Sequence, residues 1–140
     1  MTCTFFGHRD SPDIIKGRLR DAIVCLIENK SADHFLVGNE GAFDRMVQST
    51  LAELKRVYPH IDYMFVLSKM PKGGENLENT IYPEEVALCP KKFAIDRRNK
   101  WMIKMSDAAI VYVVHITGGA GKCAQAARKH GLDIVEITTR

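Results

Sequence analysis

Cysteine pairing is the first thing missing. The four cysteines, Cys3, Cys25, Cys89 and Cys123, form no C-x-x-C pair and have no histidines at zinc-ligand spacing behind them. A zinc site is therefore not expected, nor any metal. Scattered cysteines in an α/β chain are mostly buried thiols, and these are expected to be buried too. Long apolar runs are also missing: nothing approaches the roughly 18 residues of a membrane span. The N-terminus lacks the basic-then-apolar order of a signal peptide, so a cytoplasmic, reduced protein with no membrane partner is expected. No sign of charge dominates either. Twenty Lys and Arg against 17 Asp and Glu leave a net +3, too mild and too dispersed for a nucleic-acid coat. Phosphorylated small molecules remain compatible with it. Repeats and low-complexity segments are absent.

What is present is an ordinary globular composition, 46% hydrophobic and 26% charged, over 140 residues. That is one domain's length and enough for a core. Cys3–Phe6 is a short β-prone run stopped by Gly7-His8-Arg9-Asp10. Asp10-Ser11 or Ser11-Pro12 can cap a helix that carries Ile14, Ile15, Leu19, Ala22, Ile23, Leu26 and Ile27 at helical spacing and ends near Asn29. His34–Val37 is a second strand. Phe43, Met46, Val47, Leu51, Leu54 and Val57 then mark a helix closed by Pro59. Tyr63–Leu67 is a third strand. Between Lys69 and Lys92 the pattern dissolves, with two prolines flanking a possible short helix and Gly73-Gly74 as a flexible point. A connection this long reads as an insertion or lid. A helix follows from about Phe93 to Met105, with Trp101, Met102 and Met105 as core candidates. The most β-like run, Ala108–Val114, comes next. A loop and helix then lead to a last strand at Asp133–Ile137.

Strands alternating with helices predict an α/β fold: a Rossmann-like, doubly wound, mainly parallel five-stranded sheet with helices on both faces. The whole chain, 1–140, is expected to form that one domain, with 69–92 as its irregular part. Ligands of such sheets bind outside the carboxyl ends of the strands, where the strand order reverses. Three loops predicted at that edge carry unusual chemistry: Gly7-His8-Arg9-Asp10; Gly38-Asn39-Glu40-Gly41 with Asp44 in the next helical turn; and Thr117-Gly118-Gly119-Ala120-Gly121-Lys122. Glycine lets a backbone approach a ligand, and a helix N-terminus offers free N–H groups to an anion. Each loop alone is as well explained by ordinary strand-to-helix turns, and Asp44 by its helix's positive end. Three on one edge favour a phosphate or nucleotide site. The last loop is not a Walker A motif, because Ile116 stands at the first-glycine position and Cys123 at the hydroxyl position. A G-x-G-x-x-G fingerprint is lacking too. In the fourth helix Arg98 and Asn99 are candidates to face the same edge, and His8 and His115, both ending predicted strands, are candidates to meet across it.

Four blocks, "TFFGHRD", "VGNEGAFD", "AIDRRNKWMIKMSDAAIVYV" and "GGAGK", occur in this order over nearly the whole chain. Together they resemble the bacterial and phage SLOG superfamily, in particular its small single-domain branch in Firmicutes and their phages. Relatives there include the Lonely Guy phosphoribohydrolases and the DNA-processing protein of natural transformation. The resemblance implies a Rossmann-like fold that binds nucleotides or their derivatives; for this branch it implies no established reaction. In the phosphoribohydrolases an arginine before the fourth strand and a glutamate in P-G-G-x-G-T-x-x-E act at an N-glycosidic bond. Here Arg98 matches the arginine and Gly118, Gly119 and Gly121 match the glycines, while Thr117 replaces proline, Lys122 replaces threonine and Gln125 stands at the glutamate position. Glutamine is no general base.

The expectation is therefore a binding module for a nucleotide-type ligand, used in sensing or sequestration and needing no further cofactor. The phosphate is expected at Gly118–Lys122, with Gly7, His8 and Arg9 along one side, Gly38, Asn39, Glu40, Gly41 and Asp44 toward base or ribose, and Arg98 and Asn99 from the preceding helix. A nucleotide hydrolase with Glu40 or Asp44 as its carboxylate and Arg98 beside it is the alternative from another class; a protein-interaction subunit is a third. A homo-oligomer is compatible with either.

Overall fold

A computed structural model describes residues 1–71 and 78–139 of the chain. Six parallel strands form one sheet: β1 (Thr2–Gly7), β2 (His34–Val37), β3 (Asp62–Val66), β4 (Thr80–Ile81), β5 (Ala108–Tyr112) and β6 (Asp133–Glu136). Their order is β4-β3-β2-β1-β5-β6. Helices α1 (Lys16–Lys30), α2 (Gly41–Val57), α3 (Glu84–Ala87), α4 (Ala94–Lys104) and α5 (Gly119–His130) connect them. The fold is thus the Rossmann-like doubly wound sheet the alternating pattern predicts, with one strand more than the five expected.

Strand β5 shows how the sheet makes two cores. Ala108, Ile110 and Tyr112 face one side and Ala109 and Val111 the other, and all five are buried. The first side packs on Leu19, Ile23 and Leu26 of α1 and on Phe43, Val47, Leu51 and Leu54 of α2. The second packs on Met102 and Ile103 of α4 and on Ala124 and Ala127 of α5. Thr4 is fully buried on β1, and its hydroxyl donates to the Leu36 carbonyl at 3.0 Å, so no polar group is stranded there.

Several boundaries differ from the sequence pattern, each for a local reason. The sixth strand comes from the segment expected to be irregular. Edge strand β3 captures it, with Phe65 N–H donating to Asn79 O at 2.7 Å and Leu67 N–H to Ile81 O at 2.9 Å. The short helix between prolines is α3, whereas Gly73-Gly74 lies outside the described residues. Strand β5 stops at Tyr112 rather than Val114, because the Val114 N–H turns to a side chain described below. Ser11 caps no helix; its hydroxyl closes a turn onto the His8 carbonyl at 2.6 Å, and a 3-10 turn at Asp13–Ile15 leads into α1. Ile14 and Val57, placed on apolar stripes by their spacing, and Met105, a core candidate, are exposed; they stand at the ends of those stripes.

The cysteines also depart from expectation. Cys3 is buried, Cys89 and Cys123 are half-buried, and Cys25 is exposed. Cys25 lies two residues from Ile23, on the outward side of α1. A maleimide is expected to label Cys25 in the folded protein and Cys3 only in urea, read by mass spectrometry of the intact chain; labelling of Cys3 without denaturant would contradict the packing of β1.

Candidate functional site

The strand order reverses between β1 and β5, and a cavity of about 320 Å³ opens there at the carboxyl edge. Its wall is built from the loop after β1, the loop after β2, the inward face of α4 and the start of α5.

The loop after β1 is tied to the loop after β5 by one imidazole. His8 Nε2 accepts the Val114 N–H at 2.8 Å and the His115 N–H at 3.3 Å. An accepting Nε2 leaves the proton of the neutral ring on Nδ1. The His8 ring also lies 5.4 Å from that of His115 and edge-on to Tyr112 at 5.8 Å, so the two histidines do meet. With Nε2 engaged by backbone donors, His8 acts as a strut between the loops. Among the described residues no three His, Cys, Asp or Glu side chains gather as a metal site.

The loop after β2 carries the carboxylates. Gly41 opens α2 with φ +80°, and a side chain there would strike the Arg9 backbone at 2.8 Å. Asp44, in the first turn of α2, is 8% exposed and accepts the Glu40 N–H at 2.8 Å. Burial pushes its carboxyl up from the ordinary 3.8 to about 6, although this hydrogen bond and the nearby Arg98 pull the other way. Glu40 Oε2 accepts from Arg9 Nη2 at 3.1 Å and Oε1 from Ser68 Oγ at 3.2 Å. Asn39 is turned away from this cavity: Gln48 Nε2 reaches its Oδ1 at 3.4 Å, and it borders a second cavity of about 370 Å³ under the loop after β3.

Arg98 reaches in from α4 and is only 4% exposed. Its Nε and Nη2 donate to Asn99 Oδ1 at 3.3 and 2.9 Å. Nη1 has no hydrogen-bond partner; Glu40 Oε1 is 3.8 Å away, too far for a hydrogen bond. Burial lowers the Arg98 pKa while Asp44 and Glu40 act to raise it. The guanidinium fits because residue 38 is glycine: a Cβ there would lie 2.8 Å from Asp44 Oδ2 and 3.0 Å from Arg98 Cζ.

Helix α5 meets the cavity with Gly119, Ala120 and Cys123. No side chain caps its N-terminus at Gly118, so its first N–H groups lack the usual partners. At the start of α2, by contrast, two such groups have partners: the Glu40 N–H donates to Asp44 and the Ala42 N–H to the Arg9 carbonyl, each at 2.8 Å.

Of the residues expected at the site, Gly7, His8, Arg9, Glu40, Asp44, Arg98, Asn99, Gly119 and Ala120 line this cavity, whereas Thr117, Gly118, Gly121, Lys122, Gly38 and Gly41 do not. Lys122 is exposed, and Gly121 packs against the Ile116 carbonyl, where a Cβ would come within 2.3 Å. Gln125 is exposed and off the cavity as well, so its identity says little about chemistry inside it. The residue α5 does present is Cys123, four positions after Gly119 on the same helical face. The sequence pattern had shown it only as a missing hydroxyl. Burial pushes its thiol up to about 11, with Arg98 opposing, so it is protonated at neutral pH. Asp10, Ile95 and Met102 also line the cavity, although none of them was expected as a ligand contact.

No protein-family model matches this chain, and no curated protein is significantly similar to it. The resemblance to the SLOG superfamily therefore rests on its four sequence blocks. No helix among the described residues is long and apolar enough to cross a membrane.

Proposed function

We propose that the protein binds a nucleotide or nucleotide-derived ligand in the switch-point cavity. The observation that carries this reading is the buried guanidinium of Arg98 with Nη1 unpartnered, in a wall shared with the uncapped start of α5. A buried donor left without a partner costs about 1–3 kcal/mol, and a phosphate oxygen would supply what is missing. The phosphate belongs at Gly119-Ala120 rather than over Lys122, which is exposed. Asp44 suits a ribose hydroxyl, which donates hydrogen bonds to a carboxylate. A cavity of about 320 Å³ is at the small end of small-molecule sites, as a mononucleotide requires.

One observation favours the hydrolase reading. A carboxyl with a pKa of about 6 is poised for general acid or base work near neutral pH, and that carboxyl is Asp44; Glu40 is held by Arg9 and Ser68. Incubating the protein with nucleoside monophosphates, NAD and ADP-ribose separates the readings. Binding alone is expected to raise the unfolding midpoint without release of base or phosphate. Turnover abolished by Asp44→Asn would instead make it an enzyme. No shift with any of these ligands, in protein free of copurified nucleotide, would sink both. Arg9→Ala is expected to weaken binding if the cavity is the site and to leave it unchanged in a pure interaction subunit.

A further inference from the structure

In the cavity an incoming anion has to compete with carboxylates for the two arginines. Asp10, Glu40 and Asp44 line it against only two guanidinium groups, Arg9 and Arg98. Glu40 is the carboxylate that holds the cations: Oε2 takes Arg9 at 3.1 Å, and Oε1 faces the unpartnered Arg98 Nη1 at 3.8 Å. Glu40 also borders both cavities, the one at the switch point and the one beneath the loop after β3, so its side chain is part of the partition between them. Although it precedes α2, its side chain makes no cap bond, and its own N–H donates to Asp44. A carboxylate set between two arginines occupies the place a phosphoryl group would take.

We propose that the Glu40 carboxylate is the resident occupant of a second anion site, formed by Arg9 and Arg98, from which it is displaced by the outer phosphate of a nucleoside diphosphate. The inner phosphate then lies at the start of α5, and the outer one satisfies Arg98 Nη1. Glu40 swings out toward solvent on the side of Arg9, which is itself 71% exposed, and the partition opens. A monophosphate leaves Glu40 in place. This assignment rests on the reading that the cavity takes a nucleotide's phosphate, and it names the class of nucleotide.

Calorimetric titration of AMP, ADP and inorganic pyrophosphate into the wild type, Glu40→Gln and Glu40→Asp tests it. Removing the competing charge is expected to tighten ADP and pyrophosphate about ten-fold and AMP less than about two-fold. Glu40→Asp keeps the charge but shortens its reach to both arginines, and is expected to tighten ADP by an intermediate factor. Weaker binding of all three ligands to Glu40→Gln would make Glu40 a ligand contact and overturn the inference, with nucleotide binding intact. Equal tightening of AMP and ADP would overturn the second site. Tighter pyrophosphate with neither nucleotide bound by any variant would support the anion site while the nucleotide reading fails. Absence of binding by every probe to every variant would overturn the inference outright.

Discussion

Gly7→Ala is expected to lower the unfolding free energy by about 3 kcal/mol and the unfolding midpoint by roughly 10 °C. Gly7 ends β1, in register with Tyr112 of β5, and the Phe43 ring lies directly over it. A Cβ at residue 7 would sit 2.2 Å from Phe43 Cγ and within 2.5 Å of both Cδ atoms, deep inside van der Waals contact. The ring is fully buried between α1, α2 and the sheet, so no free rotamer space receives it. Relief has to come from moving the first turn of α2, which carries Asp44 and follows Glu40. Nucleotide affinity is therefore expected to fall together with stability. Chemical denaturation of Gly7→Ala, Phe43→Ala and the double variant checks the mechanism. Phe43→Ala alone is expected to cost about 3–5 kcal/mol, and the double variant less than the sum by at least about 1 kcal/mol, because the new methyl then enters the space the ring has left. Strict additivity would mean that the contact is not the cause.

How much of this was legible in the sequence depends on the range of the forces involved. The five main strands and four of the helices were visible because their apolar spacing and the Gly and Pro stops between them are local signals. β4 was invisible: two residues have no alternation to read, and Thr80-Ile81 is a strand only because β3 offers an unpaired edge. The site was legible as three loops but not as a geometry. The Gly-Lys sequence at residues 121–122 drew attention to Lys122, yet a helix turning about 100° per residue aims positions 119, 120 and 123 inward and leaves 122 outside. Arg97 and Arg98 are the same residue type on the same helix. Helical phase puts Arg98 on the side of Met102 and Arg97 in solvent, and the depth to which Arg98 is buried, at 4% exposure, needs the room left by Gly38, sixty positions earlier in the chain. The exposure of Cys25 follows from its phase on α1, whereas the engagement of His8 Nε2 is set by backbone donors in the loop after β5. The sequence does not encode such distances locally.

The stability difference between Asp44→Asn and the wild type is expected to grow in favour of the variant by about 2 kcal/mol between pH 4 and pH 7. The sign follows from the direction of the shift. Burial raises the Asp44 carboxyl from 3.8 to about 6, so the folded protein holds this proton more tightly than the unfolded chain. Below the unfolded value both states are protonated and no penalty applies. As pH rises toward 6 the unfolded chain ionises while the folded one resists, and wild-type stability falls; above 6 the full penalty stays. Asparagine does not titrate, so the variant lacks this term. Whatever constant offset the substitution adds, through the Glu40 N–H bond or through Arg98, cancels in the pH dependence. So does Asp33, whose carboxyl the N-terminal ammonium holds low in both proteins. Urea unfolding of the two proteins at a series of pH values measures the difference, and a pH-independent gap would show that Asp44 does not ionise against its burial. The gap also has a functional reading. A charge kept at such cost next to Arg98 is available above pH 6 to a ribose hydroxyl or a proton in transfer, so nucleotide affinity or turnover is expected to change over the same window by more in the wild type than in Asp44→Asn, where the ligand's own phosphate, with a second pKa of about 6, still titrates.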